Sequence, residues 1–185
     1  MNEKLAREVI AFAERHGCNF YGDYDLTVVT TQAHFNNLDH EIQRDLLSSL
    51  ARGVGAIATT ANGETTTQIF LYPQNPDTDL DKVLFTKHLL HELRHHIQRA
   101  ELRNYYLEFQ NDYMEYIEEG NIREDHWCEI DADKFSLDFI VNHQEELSNI
   151  LNVEREFINQ VETIDGEYAD FAQKRQEYQR LREAE

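Results

Sequence analysis

At 185 residues and 41% hydrophobic content, the chain is long enough to form one domain whose core needs no disulfide support. Its formal charge of −19, from 36 acidic against 17 basic side chains, argues against direct nucleic-acid binding because phosphates would be repelled. The two cysteines, Cys18 and Cys128, are far apart and outside any metal-ligand spacing, which fits a reduced cytoplasmic compartment, and no run approaches the roughly 20 apolar residues of a membrane span.

Leu5, Val9, Phe12 and Ala13 fall at helical spacing between Glu3 and His16, with Gly17 as the stop, so the chain opens on a charged amphipathic helix rather than a secretory apolar run. Asp25 to Thr31 is rich in β-branched residues and reads as a strand. The run Asn36-Asn37-Leu38-Asp39 offers caps for a helix extending to Arg52, with Ile42, Leu46, Leu47 and Leu50 inward and Gly53 after it. Two β-type runs, Gly55 to Thr60 and Glu64 to Tyr72, flank Ala61-Asn62-Gly63, a strong hairpin signal. A small antiparallel sheet is therefore expected before the next helix.

Both prolines fall within Pro73 to Asp79, which breaks the strand and offers Thr78 or Asp79 as a helix cap. From Leu80 to Leu102 there is neither Pro nor Gly, and Val83, Leu84, Leu89, Leu90, Leu93 and Ile97 give apolar surface on more than one side. Such a helix belongs in the middle of a fold. It carries His91-Glu92-Leu93-Arg94-His95. Positions four apart lie one turn up and roughly 40° round, so the two imidazoles can reach one ion. Neutral imidazole suits Zn²⁺, which lowers the pKa of a bound water to about 7, and Glu92 is placed to take the proton as that water attacks a carbonyl.

Tyr105, Tyr106, Phe109, Tyr113 and Tyr116 in the segment Arg103 to Glu119 are spaced as a helical core stripe, with a substrate cleft as the other reading. A further helix, from about His126 to His143, carries Glu129 and Asp133 four apart on one face. From Gln144 onward the pattern is helical, with a weak four-three repeat through Phe157, Val161, Ile164, Tyr168, Phe171 and Tyr178. His88 can share the face of His91 while His96 points elsewhere, and both read as ordinary, partly exposed side chains.

His91-Glu92-x-x-His95 followed by Glu129-x-x-x-Asp133 resembles the gluzincin metallopeptidases. The run Glu129-Ile130-Asp131-Ala132-Asp133-Lys134-Phe135 looks most like the small ImmA/IrrE-type and phage-encoded members. The likeness covers Leu80 to about His143. It implies that Glu129 is the third ligand of one Zn²⁺, that Asp133 orients a ligand histidine, and that His126 or a tyrosine steadies the oxyanion. It also implies that substrate docks on a sheet edge, which Thr65 to Tyr72 would supply unless it is a plain sheet strand.

The expected architecture is α+β and mostly helical. A small antiparallel sheet with a hairpin packs on the central His-Glu-x-x-His helix, residues 1–143 form the zincin-like domain, and residues 144–185 add helices on the same domain. The expected function is zinc-dependent hydrolysis of peptide bonds in a protein or peptide substrate. Neither membrane nor nucleic acid is a partner, and a monomer is favoured. A different class of reading is an acidic binding or inhibitor protein that imitates DNA, with the metal site structural or vestigial.

Overall fold

A computed structural model of the chain describes residues 2–20, 23–51, 55–60, 66–72, 78–101, 113–116, 118, 126–156 and 158. Helix α1, Glu3–Arg15, starts where the Asn2 side chain accepts a hydrogen bond from the Leu5 amide. It buries Ala6, Val9, Ile10, Phe12 and Ala13 along one face, and Gly17 leaves the helix at a φ of 92° that favours glycine.

Strand β1, Tyr24–Val28, ends earlier than its β-branched composition suggests. The reason is Thr31, whose hydroxyl accepts from the His34 amide and starts a short helix, α2, Gln32–Asn36. Helix α3, His40–Ala51, follows the Asp39 cap. Leu46 is fully buried, but Leu47 is 54% exposed, and Ser49 takes the inward place expected of it. Its hydroxyl donates to the Ala56 carbonyl at 2.7 Å, fastening α3 to the next strand. Gly55 sits at that junction with a φ of 63°, and any Cβ there would meet the Tyr72 carbonyl oxygen at 2.7 Å.

Strands β2, Ala56–Thr60, and β3, Thr67–Leu71, pair antiparallel as expected from the hairpin signal, in a register that joins Thr60 to Thr67. The Ala61-Asn62-Gly63 turn lies outside the described residues. The sheet as a whole is mixed rather than antiparallel, because β1 pairs with β3 in parallel and the order is β1-β3-β2. β3 is thus the central strand, bonded on both sides, and it cannot offer the open edge expected of Thr65 to Tyr72.

Helix α4, Asp79–Glu101, begins at Thr78, whose hydroxyl accepts from the Asp81 amide. It packs against β2, β3 and α1, and more extensively along α5, Trp127–Asn142. Its Leu89, Leu90 and Leu93 are fully buried in a core shared with α1, with Leu26, Ile69 and Leu71 of the sheet, and with Leu147 and Leu151 of helix α6, Gln144–Leu151. Val29, Phe35, Leu46 and Phe70 form a second, smaller cluster. The fold is α+β and mostly helical, and α4 is its axis. Among the described residues, no helix is long and apolar enough to cross a membrane.

The segment Arg103 to Glu119 is described at residues 113–116 and 118, all helical, so Tyr105, Tyr106 and Phe109 lie outside the described residues. The four-three repeat of the tail also lies outside them.

Candidate metal centre

Helices α4 and α5 lie side by side, which brings His91 and His95 on one against Glu129 on the other. His91 Nε2 and His95 Nε2 are 3.0 Å apart, and Glu129 Oε2 is 3.2 Å from the first and 3.3 Å from the second. These side chains are only 13%, 13% and 11% exposed.

The protons on the two rings follow from their neighbours. His91 Nδ1 lies 2.8 Å from Asp133 Oδ1, a carboxylate that only accepts, so Nδ1 carries the hydrogen. His95 Nδ1 lies 2.9 Å from Gln98 Oε1. The orientation of that amide is fixed because its nitrogen donates to the Cys128 carbonyl and to Asp131 Oδ2, each at 2.9 Å. Both imidazoles are therefore held with Nδ1 protonated and Nε2 presenting a lone pair. Three acceptor atoms then face one another inside the protein, an arrangement that repels itself unless positive charge lies between them. Ligand atoms at the usual 2.0–2.1 Å from a tetrahedral ion lie about 3.3 Å from one another. The observed triangle matches that spacing, and the three residues form a group that can hold a metal ion.

Without a metal, the same demand for positive charge is met by a proton. Burial alone would lower the pKa of His91, but hydrogen bonds to Asp133 and Glu129 and the nearby charge of Glu92 raise it to about 10. Burial disfavours the charged form of Glu129, yet the two histidines outweigh it and hold the carboxyl well below its ordinary range. Asp133 is likewise held low, against its burial, by His91 and by Lys87, whose Nζ is 3.6 Å away. His88, on the same helix, is pulled down to about 3 by burial and by the charges of Lys87 and His91, so it is neutral at physiological pH.

Glu92 is 5% exposed, and none of the described residues makes a hydrogen bond to its carboxylate. Tyr113, from the aromatic segment, donates its hydroxyl to Glu129 Oε1 at 3.2 Å, leaving Oε2 for the imidazoles. His126 is at the N-cap of α5, where its Nδ1 is 3.0 Å from Cys128 Sγ and its ring is met edge-on by Tyr113 and Tyr116. It does not join the converging triad. His96, expected to be partly exposed, is buried at 3% and bonds Thr67 Oγ1 at 2.9 Å, fastening α4 to β3.

Sequence reasoning missed Gln98, Arg94 and Asp131. Gln98 is three residues after His95 on the same helical face, a spacing that could have marked it. Arg94 Nε donates to Asp131 Oδ2 at 2.6 Å, which holds the acceptor that in turn fixes Gln98. Nothing local in the sequence announces that pair.

Against models of known protein families, curated proteins and solved structures, the chain has no match. The geometry of the site therefore carries the functional reading.

Proposed function

We propose that the protein is a zinc-dependent, gluzincin-like metallopeptidase, with His91, His95 and Glu129 as the metal ligands and Glu92 as the general base. The observation that carries this reading is the convergence of three lone pairs, from two helices, at 3.0 to 3.3 Å. Two neutral imidazoles and a carboxylate are the donor set zinc takes at catalytic centres, where three protein ligands leave a position for water.

An ion held there supplies Lewis acidity toward water and toward a substrate carbonyl. The chain's own residues do the rest. Glu92 adjoins a ligand on the same helix and no described side chain engages its carboxylate, which suits it to accept the proton of the attacking water and pass it to the leaving amine. Asp133 and Gln98 fix the two ring tautomers, and Tyr113 holds the far oxygen of Glu129. His126 caps the start of α5 beside Cys128 and the rings of Tyr113 and Tyr116, and it or one of these tyrosines is the candidate to steady the oxyanion.

The test is a Glu92→Gln variant beside His91→Ala. Glu92→Gln is expected to bind one zinc ion per chain while hydrolysis of an unfolded protein substrate falls by about 10²–10⁴-fold, the usual worth of a general base. His91→Ala is expected to lose the metal. Turnover at the wild-type rate in Glu92→Gln would remove Glu92 as the general base, whereas a metal-loaded wild-type chain that hydrolyses no peptide bond would remove the peptidase reading and leave an acidic binding protein with a structural ion.

A further inference from the structure

A second group of metal-ligating side chains lies outside the site between α4 and α5. His16, His143 and Glu146 come together where the C-terminus of α1 meets the junction of α5 and α6, and their ligand atoms all lie within 4.8 Å of one another. The two imidazole rings are 4.3 Å apart, centroid to centroid.

The backbones that carry these rings are fixed. The His16 amide closes α1 by donating to the Phe12 and Ala13 carbonyls, and the His143 amide closes α5 by donating to those of Phe139 and Ile140. The rings are seated as well. Phe12 packs against both, at 4.5 Å from His16 and 5.6 Å from His143, and Phe139 lies 4.5 Å from His143. Both phenylalanines belong to the main core, so the half-buried His143 ring and the exposed His16 ring rest on a rigid floor. Glu146 lies in the first turn of α6 and is exposed, so its carboxylate is free to turn toward the rings.

From this placement we propose a second, surface-facing site for a divalent transition-metal ion of the zinc or nickel class, bound by His16, His143 and Glu146. Imidazole suits these ions, and two imidazoles with one carboxylate leave further positions for water. The ligand atoms lie within 4.8 Å of one another, against the roughly 3.3 Å separation of tetrahedral ligands, and the exposed Glu146 side chain has rotamers with which to close the difference. The ion ties the end of α1 to the α5–α6 corner. It therefore acts on stability, because a ligand bound only by the folded state raises the unfolding temperature.

The experiment titrates Zn²⁺, and separately Ni²⁺, into the full chain by calorimetry and repeats it in His91→Ala. With both centres intact the chain is expected to take two ions. His91→Ala is expected to keep one, at the weaker of the two affinities, with a rise in melting temperature on addition of the metal. His143→Ala should lose that weaker event. If this variant is misfolded by circular dichroism, His16→Gln serves instead, with an affinity at least tenfold lower. Changes at His34 and His40, which lie outside both groups, should leave the uptake untouched. A weaker event that persists unchanged in His16→Gln and His143→Ala, or its absence from His91→Ala, overturns the second site, and neither result depends on whether the first site is a peptidase centre.

Discussion

The amide of Gln98 has its nitrogen committed to the Cys128 carbonyl and the Asp131 carboxylate, so only its oxygen can face His95. A neutral acceptor thereby holds one imidazole while a carboxylate, Asp133, holds the other. Partners of this kind are typically worth about 10–100-fold in metal affinity. Gln98→Ala is expected to weaken zinc binding within that range, measured by competition with a chromogenic chelator, and to leave the ligands themselves in place. The metal-free protein should also respond to pH through His91. Its pKa is about 10 in the folded chain against an ordinary 6.5, so its contribution to stability is complete below about pH 6.5 and is lost as pH rises toward 10. Glu129 and Asp133 act in the other direction. Their pKa values are lowered by folding, so their contribution is present above the ordinary carboxylate range and is lost as pH falls through the folded values. Chelator-treated protein is therefore expected to show a melting temperature that declines between pH 7 and 10. A His91→Gln variant should lack most of that decline.

Helix α4 was legible from local pattern because its signals are local. A capping threonine, an unbroken run free of Pro and Gly, and apolar residues on several sides all lie within one stretch. The pairing of α4 with α5 was legible only through two short motifs that share a chemical purpose. What sequence could not show was which distant partner each residue meets. Ser49 is buried because it answers the Ala56 carbonyl, and β3 is central because β1 joins it in parallel across more than thirty intervening positions. Thr31 had β composition but caps α2 instead, since its hydroxyl competes for a backbone amide. The central role of α4 predicts a steep dependence on its buried leucines. Leu93, fully buried between Glu92 and Arg94, faces the core while its neighbours serve the site. Leu93→Ala should cost about 2–5 kcal/mol, measured by urea unfolding, and should weaken metal binding as well because the same turn carries the ligands.

The core does not stop where the second motif helix ends. His143 closes α5 and its carbonyl also accepts from Leu147 in α6, so the chain passes from one helix to the next without a linker. Leu147, Leu151, Val153 and Ile158 then enter the same apolar cluster as Val9 and Phe12 of α1 and Leu89 and Leu93 of α4. Burying a side chain of this kind contributes roughly 1.5–3 kcal/mol, and the net stability of a domain is only about 5–15 kcal/mol. Loss of all of them would thus remove an amount comparable to the whole. A chain cut after His143 keeps every proposed ligand of the α4–α5 site, the general base and both tautomer-fixing residues, yet it exposes one side of α1 and α4 to water. It is expected to lack the near-ultraviolet signature of fixed aromatic packing and to unfold without a cooperative urea transition. The full chain is expected to show both features, along with zinc binding at the α4–α5 site. Cooperative folding of the shorter chain would mean that α6 is an appendage and that the ligand-bearing helices are held by the sheet and α1 alone.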